Sequence, residues 1–378
     1  MNEQIPELSV ILPCRNEEEA IEGCLQKINT VLASRRLNAE IIVSDSSTDS
    51  SPLIARGHNV ILVKHDREGY GAACLEGFKK ARGKYIFFAD ADGSYDFLEI
   101  PRFLECLRGG YEFVIGNRFK GQITRGAMPW LHRYIGNPML SSIVKIFFGA
   151  RISDTQCGMR ALTKGALDKL RLKALGMEFA SEMVIKAVQK RLKVKELPIN
   201  YYQRLGKSKL KSFADGWRHL RFMLLYSPLF LFFVPGVILF LLGFSSMFWL
   251  YLMSPVISGI KLSYHPMFVS AVLVIVGYQV MLFSLFAKTY AITHLGEENR
   301  FIQSLYRYVT IEKASLAGIL VVSAGAIIYI TIFFKWINSG FGAIQEIKLS
   351  IVALTLIAFG IQTIFSSFML SILGIKEK

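Results

Sequence analysis

Residues 222–260, 314–334 and 349–375 hold no charged side chain. In hydrocarbon every backbone polar group must be satisfied internally, so such runs are helices wherever they meet a bilayer, and about 20 residues cross its ~30 Å core. Four spans fit: 229–253, 266–287, 314–334 and 349–373. Core helices of a large soluble domain are the alternative, and four charge-poor stretches of this length argue against it. Charge gathers at the other end, where the first 221 residues hold 35 of the 44 Lys and Arg and 24 of the 29 Asp and Glu. A charged globular part thus precedes an all-α membrane domain of four transmembrane helices.

The connectors set the expected orientation. Residues 288–313 include Lys288, Arg300, Arg307 and Lys313, whereas 254–265 has only Lys261 and 335–348 only Lys335 and Lys348. Excess Lys and Arg stays in the cytoplasm. That puts 288–313, the tail with Lys376 and Lys378, the globular part and both termini on the cytoplasmic side of an integral membrane protein. The opening MNEQIPELSVILP has no basic run before its apolar residues and does not read as a signal peptide. Ahead of the first span, Leu210, Phe213, Trp217, Leu220 and Leu224 recur at helical spacing, while Lys211, Asp215 and Arg218 fall off that stripe. The pattern predicts an amphipathic helix over 208–228 in the membrane interface, between a globular domain at 1–207 and a membrane domain at 229–378. Five cysteines, an odd number without a CxxC pair, predict buried reduced thiols rather than disulfides or a zinc site.

In the globular part, apolar runs at Leu8–Leu12, Glu40–Ser44, Val60–Val63 and Tyr85–Ala89 alternate with helical patterns at Glu17–Val31, Gly71–Ala81 and Pro101–Leu107. The alternation predicts a mostly parallel α/β sheet with ligands beyond the carboxyl ends of its strands. Polar clusters fall there: Pro13 to Glu17, Asp45 to Asp49, and Asp90 to Asp92. Charge divides this part again, net −5 over 1–117 and net +16 over 118–221. No aromatic–basic interleave accompanies the basic stretch, so a phosphorylated or anionic lipid, not nucleic acid, is the expected partner.

Asp90-Ala91-Asp92 ends an apolar strand, and residues i and i+2 on a strand point the same way. Paired carboxylates suit a hard divalent cation that also takes phosphate oxygens. By itself an Asp-x-Asp is a weak signal. Here it stands in order with Pro13-Cys14-Arg15-Asn16-Glu17, Asp45-Ser46-Ser47-Thr48-Asp49, Gly69-Tyr70-Gly71 and Gly77. Over about 1–210 the series resembles the nucleotide-sugar (GT-A) fold of glycosyltransferase family 2. Within that family it is similar to the polyprenyl-phosphate branch, the dolichyl-phosphate mannose and glucose synthases and their bacterial relatives.

The resemblance implies a Rossmann-like α/β GT-A domain. It implies inverting, metal-dependent transfer of glucose or mannose from UDP-glucose or GDP-mannose to a dolichyl or undecaprenyl phosphate, with Mg2+ or Mn2+ as cofactor. Homo-oligomerisation stays open. Pro13, Glu17, Asp45 and Gly71 would line the nucleotide-sugar pocket, Asp90 and Asp92 would hold the metal and diphosphate, and Asp92, Asp154 and Arg118 would be catalytic. Arg118, Arg133, Arg204, Ser208 and Lys209 would meet the acceptor phosphate. Two positions depart from the pattern. Ser44 replaces the first of the paired aspartates after strand 2, and Arg15 replaces the aromatic of the first motif, which blurs the identity of the base.

Bland readings stand beside these: Asp49 and Ser47 as caps of the next helix, and Arg160 as a salt-bridge residue. The chemistry itself suits the residues. A phosphate monoester has a second pKa near ~6, so a lipid phosphate arrives as a dianion and needs aiming more than a strong base. Arginine aims phosphate through two parallel N–H groups, and Asp154 is then a positioning or acceptor-side group. A processive polysaccharide synthase is the competing enzyme, but no glutamine begins the Gln-x-x-Arg-Trp motif it would show. A membrane scaffold or flippase with a degenerate nucleotide domain is the competing non-enzyme, and the intact Asp90/Asp92 pair speaks against it.

Overall fold

The computed structural model describes residues 5–206, 212–253, 255–257, 260–262, 264–294 and 310–374. The chain divides into two compact units, Met1–Met223 and Leu224–Lys378.

In the first unit β1 (Leu8–Cys14), β2 (Ala39–Asp45), β3 (Ile61–Lys64) and β4 (Tyr85–Phe88) alternate with α1 (Ile21–Ser34), α2 (Ser51–Arg56) and α3 (Tyr70–Lys80). Then come α4 (Ile100–Arg108), β5 (Phe113–Asn117), α5 (Asn137–Phe148), β6 (Arg160–Thr163), α6 (Lys164–Leu170), α7 (Phe179–Gln189), β7 (Val194–Pro198) and α8 (Ser212–Tyr226). One sheet runs β3-β2-β1-β4-β6-β5-β7. Strands β1 to β4 pair in parallel, as expected, while β6 lies antiparallel between β4 and β5. Every residue of β1 is buried between two neighbours, which is why it reads as a continuous apolar run. Helix α1 starts at Ile21, not at Glu17, because the loop before it is stitched to the loop after β2. Asn16 stands at φ 52°, and the N–H groups of Glu17 and Glu18 donate to Ser51 Oγ (2.9 Å) and Asp49 Oδ2 (3.2 Å).

The second unit holds α9 (Val234–Leu252), α10 (His265–His294), α11 (Ile311–Asn338) and α12 (Ile347–Gly374). Among the described residues, four stretches are long and apolar enough to cross a membrane: Leu229–Leu252, His265–Thr293, Ile311–Asn338 and Ile347–Gly374. Lipid supplies no hydrophobic drive between helices, so close backbone approach at small residues carries the packing. The α9–α10 and α11–α12 hairpins repeat one such contact. A methyl on Gly277 would stand 2.8 Å from the Gly236 carbonyl oxygen, and one on Gly360 2.6 Å from that of Gly318. Between the hairpins the Tyr278 ring stacks on Phe359, and its hydroxyl lies 2.9 Å from Thr363 Oγ1. Lys348 Nζ donates to the carbonyls of Leu250 (2.5 Å) and Met253 (3.3 Å), placing a cation where α9 ends.

Candidate active site

Because β1 to β4 are parallel neighbours, their carboxyl ends share one rim. Loops 14–17 and 45–51 are tied together there: Asn16 N donates to Ser47 Oγ (2.7 Å), and Asn16 Oδ1 accepts from Thr48 N (2.8 Å). Asp49 Oδ1 accepts from Ser51 N (2.9 Å) at the start of α2, as a cap does, whereas Ser47 serves Asn16. Pro13 is buried in β1. Buried Asp45 accepts from Ser47 N (3.2 Å) through Oδ1 and leaves Oδ2 without a partner. Ser44 Oγ and both ring nitrogens of His65 are equally bare. His65 follows β3 as Ser46 follows β2, and that position was the signal that sequence reading overlooked.

Strand β4 ends at Phe88, so Asp90 and Asp92 lie in the loop beyond it, with Ala91 buried between them. Cys24 Sγ reaches the Ala91 carbonyl at 3.7 Å. Asp90 Oδ1 and the Tyr70 hydroxyl are shut away from solvent without hydrogen-bond partners. Burial, then the charge of Asp92, raises the Asp90 carboxyl to about 7, with the nearby Tyr70 hydroxyl opposing. Asp92 Oδ1 accepts from Ser94 N (3.0 Å) and Ser94 Oγ (2.5 Å). Arg204 bridges the rim. Its Nη2 donates to Glu17 Oε1 (3.0 Å) and Oε2 (3.2 Å), and its Nη1 lies 3.7 Å from Asp92 Oδ2. Gly71 opens α3 where a methyl would collide with the Ala174 carbonyl, so it serves close packing.

Among the described residues, the buried side-chain polar atoms without a partner are Ser44 Oγ, Asp45 Oδ2, both His65 nitrogens, Tyr70 Oη, Asp90 Oδ1, Arg204 Nε and, in α12, Gln362 Oε1. All but the last lie at the carboxyl ends of β2 to β4 or on Tyr70 and Arg204 at the same rim. In folded proteins such atoms are met by a protein group, an ordered water or a bound ligand or ion. An orphaned carboxylate oxygen is what a cation satisfies. No group of three or more His, Cys, Asp or Glu among the described residues could hold a metal alone. A divalent ion would therefore take Asp90, Asp92 and oxygens of its substrate, a use these residues fit.

Arg118, expected at a phosphate, is instead buried against Asp154. Its Nε donates to Asp154 Oδ2 (2.8 Å), its Nη2 to Oδ1 (2.8 Å) and its backbone N to Oδ2 (3.0 Å). One carboxylate occupies the guanidinium fork, so the two residues work as a unit. Arg160, expected in a salt bridge, donates to the carbonyls of Cys157 (2.8 Å), Ala180 (2.9 Å) and Thr155 (2.9 Å). Arg133 sits on a π-helical turn, His132–Gly136, its guanidinium carbon 5.5 Å from the Tyr134 ring centre. Around it Trp130, Leu131, Tyr134 and Ile135 are exposed, and Met139 and Ile146 continue that apolar face along α5. Sequence reading missed this face. Ser208, Lys209 and the Leu210 and Lys211 of the expected interfacial helix lie outside the described residues. In α8, Trp217 and Leu225 are exposed while His219 and Met223 are buried. Cys14, Cys24, Cys74 and Cys157 are buried and free, and burial pushes the thiols of Cys14, Cys24 and Cys157 up to about 12, so they stay protonated.

Residues 9–171 match Glycosyl transferase family 2, and residues 285–374 match the Glycosyltransferase family 2 C-terminal transmembrane region. The chain is 36% identical over 370 residues to the low-salt glycan biosynthesis hexosyltransferase Agl6 of Haloferax volcanii, covering 98% of this chain and 89% of that one. It is 31% identical over 212 residues to a dolichyl-phosphate hexose transferase of Haloferax volcanii, covering 56% of this chain and 89% of that one. Among solved structures, it is similar to glucosyl-3-phosphoglycerate synthase from Mycobacterium tuberculosis in complex with Mn2+, UDP-glucose and phosphoglyceric acid. That match has 20% identity and a TM-score of 0.48, over 58% of this chain and 79% of that one. The two family matches and the relative matched over 98% of the chain, together with the four apolar helices, establish that the chain belongs to glycosyltransferase family 2 and is a membrane-spanning glycosyltransferase.

Proposed function

We propose that the chain transfers a hexose, with inversion, from a nucleotide diphosphate sugar to a polyprenyl phosphate, with Mg2+ or Mn2+. The catalytic unit and both termini would be cytoplasmic. The observation that carries this reading is the convergence of bare buried polar atoms on one rim. Asp45 Oδ2 would accept an N–H of the base, with Ser44 and His65 beside it and Pro13 and Glu17 at the ribose. Asp90 and Asp92 would hold the cation, which neutralises the diphosphate as it departs. Arg204, held between Glu17 and Asp92, would meet phosphate oxygens where donor and acceptor approach. Arg133, set in the exposed apolar face of residues 130–146, would meet the lipid phosphate, with that face and Trp217 against lipid. Both Asp154 oxygens are taken up by Arg118, and a dianionic acceptor does not require a strong base.

Two relatives support the substrate classes: one is named for a hexose and dolichyl phosphate, the other for hexosyl transfer in glycan biosynthesis. UDP-glucose and GDP-mannose are the first donors to try. The test offers purified full-length protein a panel of labelled nucleotide sugars with a short polyprenyl phosphate and Mn2+. One donor should yield an organic-extractable, acid-labile glycolipid. Label found only as free sugar, or in a growing polysaccharide, would overturn the reading.

A further inference from the structure

A mostly buried line of polar side chains joins α5 and α8, and the transfer chemistry does not use it. Ser141 Oγ on α5 lies 3.1 Å from Thr155 Oγ1 and accepts from Thr155 N (3.2 Å). Gln156 Nε2 donates both to Thr155 Oγ1 (3.1 Å) and to Ser181 Oγ on α7 (3.2 Å). Ser181 Oγ in turn lies 2.9 Å from His219 Nδ1 on α8. Ser141, Thr155, Ser181 and His219 are all buried.

Gln156 donates in both directions along the line. A carboxamide nitrogen carries two protons, and here one goes each way. Thr155, having accepted from Gln156, has its own proton for Ser141. Ser181 likewise accepts from Gln156, and its hydroxyl lies within hydrogen-bond distance of His219 Nδ1, a bond in which either atom can donate. Both carboxamide bonds point outward from Gln156. That residue sits in the middle of the loop 154–158, between Asp154, locked to Arg118, and Gly158. A methyl on Gly158 would stand 2.7 Å from Asp90 Oδ2, so the loop backbone lies directly on that carboxylate. Arg160 fastens the same loop to α7 by donating to the carbonyls of Thr155, Cys157 and Ala180.

We propose that Gln156 is a positioning residue whose carboxamide holds the 154–158 loop, and through it the backbone against Asp90, in register with α5 and α8. A connected network of buried hydrogen bonds rigidifies the elements it joins. The donor rim is then completed only while both helices are seated. What the relay serves rests on the reading of Asp90 as the cation-facing carboxylate, but its existence does not, and the test reads it without turnover.

The experiment is amide hydrogen exchange on the full chain in phospholipid nanodiscs, without metal or nucleotide, comparing wild type with His219→Ala, His219→Asn and Ser181→Ala. Losing one relay bond should speed exchange across 154–160 by roughly three- to tenfold and leave β1 unchanged. His219→Asn, which keeps an acceptor at the Nδ1 position, should return to the wild-type rate. If His219→Ala raises exchange throughout β1 to β4, Ser181→Ala, which removes one atom, is read in its place. Unchanged exchange at 154–160 on loss of the relay, or His219→Asn behaving like His219→Ala, overturns the proposal. Failure of glycosyl transfer with this exchange pattern intact would instead count against the functional reading.

Discussion

Arg118 and Asp154 form a bidentate pair, two side-chain bonds of 2.8 Å each, around a carboxylate with no exposed surface. Removing one partner of such a pair strands a buried charge and typically costs about 3–5 kcal/mol. Arg118→Ala and Asp154→Ala should each lower the melting temperature of the detergent-purified protein by several degrees. The double replacement Arg118→Met with Asp154→Leu should recover much of the loss. Thermal unfolding of the four proteins checks this, and an Arg118→Ala variant as stable as wild type would refute the pairing.

Gly158 gives a sharper local test. A methyl there would meet Asp90 Oδ2 at 2.7 Å and the Tyr95 hydroxyl at 3.1 Å, whereas at Gly165 nothing lies within 4 Å. Gly158→Ala should weaken Mn2+–nucleotide binding at least tenfold, and Gly165→Ala should leave it alone. Calorimetric titration of both variants separates an effect at the carboxylate from a general cost of adding a methyl.

His219 links acid pH to stability. Burial brings its imidazole from 6.5 down to about 4, with Glu178 and Asp215 opposing and Arg160 adding to burial. Above pH ~6.5 both folded and unfolded chains leave it neutral, and its contribution is fully present. As pH falls from there toward about 4 the unfolded chain takes the proton first, and stability declines by up to about 3 kcal/mol. Asp90, raised to about 7, contributes the opposite slope below that pH, so the comparison is wild type against His219→Asn at each pH. Denaturant unfolding should show a steeper acid loss in wild type. Identical slopes would contradict the assignment.

Orientation is tested by labelling. With the basic 288–313 connector inside, Ser339 lies in an external loop and Thr310, which caps α11, on the cytoplasmic side. An impermeant maleimide should label Ser339→Cys in intact cells and reach Thr310→Cys only after permeabilisation. The reverse pattern would invert the topology.

The sequence disclosed the half of the fold whose signals are local. Strands β1, β2 and β4 are buried, so each carries an apolar run (Val10–Leu12, Ile41–Val43 and Tyr85–Phe88), and the spans announce themselves by lacking charge. β6 is four residues long and starts with Arg160, which hid it. The candidate site was legible as residues and not as partnerships. Arg118 and Asp154 are 36 positions apart, and each alone looks like a ligand contact until the fold brings them together. The relay through Gln156 joins α5, α7 and α8, elements that only tertiary packing makes neighbours. The exposed face of residues 130–146 has the composition of a core helix, and burial alone distinguishes the two.

The most direct measurement of the central claim compares wild type with Asp92→Asn in nanodiscs carrying a short polyprenyl phosphate, labelled donor sugar and Mn2+. The wild type should move label onto the lipid phosphate, not onto the corresponding polyprenol, and lose that activity in excess EDTA. Asp92→Asn should fold normally yet transfer at least two orders of magnitude more slowly. Undiminished transfer by Asp92→Asn, or full activity in EDTA, would contradict the account.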